Sequence, residues 1–108
     1  MPRFEEGLVL YKTFPCASLN STINEFGQNC ESGRDQAHTQ LSLGAQAELC
    51  QVAFNQGQGQ YWNLLHDRLM VGYEYTAKYN LGNNVTYDPN FYRYELSSWA
   101  PPCAHTPL

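Results

Sequence analysis

The stretch Asp35-Gln36-Ala37-His38-Thr39-Gln40-Leu41-Ser42-Leu43-Gly44-Ala45-Gln46-Ala47-Glu48-Leu49-Cys50-Gln51-Val52-Ala53-Phe54-Asn55 decides the fold. Leu41, Ala45, Leu49, Val52 and Ala53 recur along it at helical spacing, with Gln40, Glu48 and Gln51 between them. No alternation of the kind a strand needs is present. Asp35 stands where a side-chain acceptor caps a first turn, and Asn55 with Gly57 supplies a stop. The spacing predicts a helix over 36–54. Cys50 falls on or beside its apolar face and reads as a buried thiol.

Working outward, Gln56-Gly57-Gln58-Gly59 is a turn, and residues 60–79 form a second periodic segment. One stripe is Trp62, Leu65, Leu69, Gly72 and Thr76; a neighbouring one is Leu64, Arg68, Val71 and Tyr75. Asn80-Leu81-Gly82 ends it, because Gly82 can take the left-handed conformation that closes a helix. Two helices with a short linker predict an antiparallel hairpin and an all-α fold. Residues 1–34 read as irregular, with Gly7–Tyr11 a short strand or a single helical turn. From Asn83 onward the chain is again loop-like. Asp88-Pro89-Asn90 marks a turn, Phe91–Leu96 reads as a possible short strand, and Ala100-Pro101-Pro102 cannot continue a helix.

Composition bounds the function. The 108 residues suit one small domain or a piece of a larger one. With 15% charged residues the chain is neither a charged disordered tail nor a coiled coil. A net charge of −4 without any run of like charges argues against a nucleic-acid module. No apolar run approaches the roughly 20 residues of a membrane-spanning helix. The opening Met1–Glu6 carries two acids and no apolar core of a signal peptide.

The hairpin carries a chemical expectation. His38 and Tyr75 stand nearly equally far from the turn at Gly57, so antiparallel packing puts them at similar heights. Arg68 lies two turns before Tyr75 on the same face, and Arg34 precedes the first helix at the same end. A tyrosine, a histidine and two arginines at one mouth suit β-elimination from a uronic acid. There the sugar carboxylate must be neutralised while a base removes the α proton. A tyrosine hydroxyl can act as that base if cations lower its pKa from about 10, and can return the proton to the leaving oxygen. Plainer readings stand beside this one. A helical tyrosine among apolar residues often only rims a core, a helix-start histidine often only caps, and Arg68 beside Asp67 suits a surface ion pair.

Three blocks point further. Glu31-Ser32-Gly33-Arg34-Asp35-Gln36-Ala37-His38-Thr39-Gln40-Leu41 resembles the E-S-G-R-D-Q-G-H-T-Q-L segment of the alginate lyase superfamily. Glu48–Gly57 resembles the next helix end of that superfamily. Asp67–Asn83 resembles its N-R-L-L-x-G-x-E-Y-T-A-K-Y-N-L-G-N stretch. The resemblance spans residues 27–87. It implies an incomplete α/α toroid around a groove for an acidic polysaccharide such as alginate or glucuronan. It also implies a lyase that needs no metal or organic cofactor. By the same resemblance Tyr75, His38 and Arg68 are the catalytic group, and Arg34, Gln36 and Lys78 bind substrate. Ala37 departs from the usual glycine, His66 replaces the residue before the Asp-Arg pair, and the superfamily's domain is several times longer. The chain then reads as a truncated fragment with weak or no activity alone, or as an inactive carbohydrate-binding or structural remnant.

The resemblance to secreted proteins also favours a Cys16–Cys30 disulfide and an extracellular location. The pairing of Cys50 and Cys103 stays open. Cys103-Ala104-His105 is too little for a zinc site. Asn20-Ser21-Thr22 and Asn84-Val85-Thr86 match the N-glycosylation acceptor pattern.

Overall fold

The structure, a computed structural model, describes residues 2–15 and 17–91. These form an all-α fold: α1 (Pro2–Thr13), α2 (Leu19–Thr22), α3 (Gln36–Asn55), a 3-10 helix (Gly59–Asn63) and α4 (Leu64–Asn80). Extended pairing among the described residues is confined to an isolated antiparallel bridge between Ile23 and Asn29. The possible strand after Phe91, apart from Phe91 itself, lies outside the described residues, as do Cys16, Cys103 and His105.

The first segment corrects the sequence reading, because residues 2–13 are helical and not irregular. Pro2 is tolerated in a first turn, where a missing N–H costs nothing. Glu5 in the first turn and Lys12 in the last complement the helix dipole. Leu8 and Tyr11, three residues apart, face the core and are buried.

α3 starts and stops where expected. Asp35 caps it, accepting from the His38 backbone N–H at 2.7 Å. At the far end Gly57 has φ +84°, with Gln58 N–H donating to Ala53 O and Gly57 N–H to Phe54 O. That pair of bonds satisfies carbonyls the helix would otherwise leave open. The buried face is a different one, however. Thr39, Leu43, Gln46, Cys50 and Ala53 are buried, whereas Leu41 is 70% exposed and Val52 43%. Two polar residues can occupy the interior because each is satisfied there. Gln46 accepts from the Tyr11 hydroxyl at 3.0 Å and donates to Thr22 Oγ1 and Ser42 Oγ, each at 3.2 Å. Counting apolar residues alone therefore rotates the helix wrongly.

The second periodic segment is not one continuous helix. After the 3-10 turn, Leu65, His66 and Asp67 have φ of 53°, 57° and 60°, a left-handed turn built without glycine. Only from Arg68 onward does right-handed helix run on. The reversal turns Leu65 outward, 45% exposed, while Leu69, Gly72 and Thr76 are buried as their spacing predicts. The Asn63 amide spans the turn, donating to Asp67 Oδ1 at 2.7 Å. Gly82, at φ +90°, closes α4 as expected, with Asn83 N–H donating to Lys78 O and Gly82 N–H to Tyr79 O.

α3 and α4 pack antiparallel. The Gln36 side chain at the start of α3 accepts from Asn80 at the end of α4, at 3.2 Å. Gly72 lies against Leu43 and Ile23. The core of Leu19, Ile23, Leu43, Cys50, Ala53, Tyr61 and Leu69 fills the space between α3, α4 and the loops before them.

Candidate functional site

The open end of the hairpin holds a cleft of about 560 Å3. Asp35, Gln36 and Thr39 from the start of α3 form one wall, and Tyr75, Thr76 and Tyr79 from the end of α4 form another. Asn29 and Ser32, and after α4 Asn83, Asn84, Val85 and Tyr87, complete its lining. Gln36 and Tyr75 thus line one cleft, whereas His38, which the register sets at the height of Tyr75, is not part of its lining. On the other side of Tyr75 is a shallower depression of about 190 Å3, lined by Phe26, Glu74, Lys78 and Thr86 among others. Tyr75 and Val85 line both, with Gln36 in the larger cleft and Lys78 in the smaller depression.

The remaining expected residues do not gather around the Tyr75 hydroxyl. The Arg68 guanidinium donates to the Ile23 carbonyl at 3.0 Å, bracing the loop that leads into the Ile23–Asn29 bridge. His38 turns back on its own cap, with Nδ1 2.8 Å from Asp35 Oδ1, an ion pair when the imidazole is protonated. Arg34 is exposed beside Asp35. His38 and then Arg34 act together on that carboxyl: the backbone and side-chain hydrogen bonds from His38 hold it below the usual aspartate range, with a smaller coulombic contribution from Arg34.

Tyr75 itself is half-buried, and its hydroxyl donates to the Thr86 carbonyl at 2.9 Å. Burial, with Tyr87 and Tyr79 close by, pushes its pKa up. Burial and the neighbouring tyrosines thus shift it opposite to the expected lowering by cations, and the Arg68 guanidinium donates instead to Ile23 O. Among the residues lining the larger cleft, Asp35 carries the charge.

Asn84 is exposed in the cleft lining, and Thr86 of its acceptor pattern is exposed as well. Asn20 is exposed in α2, but the Thr22 hydroxyl of its pattern is buried and donates to Ser18 O and Leu19 O. Cys30 is buried; its expected partner Cys16 lies outside the described residues. Among the described residues no group of three His, Cys, Asp or Glu side chains is placed to hold a metal ion, and no helix is long and apolar enough to cross a membrane.

Sequence reasoning missed Tyr79, Tyr87 and Asn29 in the cleft walls. Tyr79 follows Tyr75 by one turn, so the period that found one also reaches the other. Nothing local marks Asn29 or Tyr87.

No protein family, curated protein or solved structure matches the chain.

Proposed function

We propose that the chain is a polysaccharide lyase-like module whose cleft receives an acidic polysaccharide of the polyuronate type, with Tyr75 as the residue that faces the sugar. The observation that carries this is the lining at the open end of the hairpin: three tyrosines interleaved with side-chain amides and hydroxyls. Sugar rings stack their C–H faces on aromatic rings and pair their hydroxyls with amides, so this mixture suits a saccharide better than an apolar ligand. Lys78, which lines the depression on the other side of Tyr75, is the cation placed to receive a uronate carboxylate. The toroid of the resemblance belongs to the same proposal: α3 and α4 would be one hairpin of such a ring, and the exposed Leu41 and Val52 the face that a neighbouring hairpin covers.

Binding without cleavage is the second reading, and the Tyr75–Thr86 bond favours it. A base must be deprotonated, and a phenol held above its ordinary value of about 10 is almost wholly protonated at neutral pH. Short alginate or glucuronan oligomers added to isotopically labelled protein should shift the resonances of Tyr75, Tyr79 and Tyr87. Ultraviolet absorbance of the unsaturated uronate product then separates the two readings. Absorbance growing faster than in a Tyr75→Phe control supports the lyase; binding with no such growth supports the second reading; no binding to either polymer overturns both.

A further inference from the structure

Residues 83–91 cross the open end of the hairpin as an irregular strap, and the strap is fastened very unevenly. Its beginning is fixed by the closing bonds of α4, where Asn83 N–H and the Asn83 amide both donate to Lys78 O. Its end is fixed by Gln28, a side chain with no exposed surface. Gln28 Nε2 donates to Asp88 O and to Phe91 O, each at 3.0 Å, and Oε1 accepts from Asp88 N–H at 2.7 Å. Between those anchors, residues 84–87 are held across the cleft by the Tyr75 hydroxyl on Thr86 O.

These fastenings differ in kind. The Gln28 bonds are made by a fully buried amide to half-buried Asp88 and Phe91, so breaking them leaves the Gln28 amide unpaired in the interior. The Tyr75–Thr86 bond is exposed, and water or a ligand hydroxyl competes for it on equal terms. Gln28 is itself placed by the turn before it. Asn24 Oδ1 accepts from Gln28 N–H at 2.9 Å, and Asn24 N–H donates to Gln28 O at 3.0 Å. Gly27, at φ +99°, lies so close to α4 that a Cβ there would stand 2.4 Å from Val71 O and 2.8 Å from Tyr75 Cβ. One turn therefore presses on the helix at Tyr75 and also grips the strap above it.

We infer that Gln28 is the positioning residue of the cleft: by anchoring the strap at Asp88 and Phe91 it sets Thr86 over Tyr75, and residues 84–87 form a short flap that lifts while both anchors stay closed. A saccharide hydroxyl or carboxylate then takes the place of the Thr86 carbonyl as the acceptor of the Tyr75 hydroxyl. The identity of that ligand rests on the polyuronate reading; the anchor and the flap do not.

Two measurements on the full chain test this. The first is amide hydrogen exchange of the wild-type protein. The Asp88 amide should exchange much more slowly than those of Thr86 and Tyr87, and equal rates would overturn the division into anchor and flap. The second is the titration of the Tyr75 ring followed by NMR, assigned with Tyr75→Phe. The groups facing that phenol are Tyr79, Glu74 and Lys78 on α4, Tyr87 on the strap and Asp35 across the cleft. Gln28→Leu, checked for unchanged helix content, should bring the Tyr75 titration down toward the ordinary value of about 10, because the strap no longer covers it. A folded Gln28→Leu protein with unchanged Tyr75 titration sinks the positioning role. Added uronate oligomers should shift the Tyr75 ring and Thr86 carbonyl resonances, as the bond between them gives way, while the Asp88 amide stays protected. If the oligomers leave every cleft resonance unmoved, the saccharide reading fails while the exchange contrast still decides the flap.

Discussion

Gly72 sits where α4 crosses the core with no space for a side chain. A Cβ there would meet Ile23 Cδ1 at 3.0 Å and Leu43 Cδ2 at 3.2 Å, and both of those residues are buried and unable to withdraw. Alanine favours a helix over glycine by about 1 kcal/mol, but overpacking a tight crossing costs ~1–3 kcal/mol. The crowding wins, so Gly72→Ala should lower the urea midpoint without changing the slope of the transition. Asp35 is a residue-scale case governed by pH. Its carboxyl is held down by the hydrogen bonds from His38, so the cap is fully present above the unfolded aspartate value of about 3.9. It is lost as pH falls through the lower folded value. Protection of the His38 amide from exchange should fade over that acidic window, and in Asp35→Ala it should be absent at every pH.

At the scale of elements, the left-handed turn at Leu65–Asp67 is the costliest backbone in the described chain. Each non-glycine residue there gives up roughly 1–2 kcal/mol relative to right-handed helix. His66 is exposed at φ 57°, so replacing it removes strain and little packing. His66→Gly should raise the melting temperature, by an amount equivalent to about 1 kcal/mol, whereas Gly82→Ala should lower it, since Gly82 needs its positive φ to close α4. The contrast shows what was legible beforehand. Helix ends were readable because their signals are local: Asp35, Gly57 and Gly82 each act on residues within a turn or so. The buried face of α3 was not, because Thr39 and Gln46 enter the core through partners on other elements. α1 was missed because Glu5, Glu6 and Gly7 interrupt any apolar period, and only tertiary contact with Leu8 and Tyr11 reveals its inner side. In the cleft, Tyr75 followed from hairpin register and Gln36 from the resemblance of its block. Arg68 and His38 did not follow, since their nearest acceptors decide where they point.

For the whole molecule, the tyrosines set an alkaline limit. Burial raises the pKa of Tyr11 strongly and that of Tyr75 and Tyr73 less, each favouring the protonated phenol in the folded state. That preference stabilises the fold fully below the unfolded tyrosine value of about 10, and is lost as pH rises beyond it. Unfolding midpoints in urea should thus be flat from neutrality to about pH 9 and fall steeply above pH 10. Tyr11→Phe should soften that fall while lowering stability at neutral pH, because it leaves buried Gln46 Oε1 without the donor it has now. The Gln28 anchor carries a different consequence, one of timing. It joins residues separated by 60 positions, and closing so long a loop comes only after the local hairpin has formed. Its bonds should therefore be absent from the folding transition state. Weakening them would leave the rate of folding nearly unchanged and quicken unfolding, so the lifetime of the folded chain would rest on an amide that plays no part in its assembly.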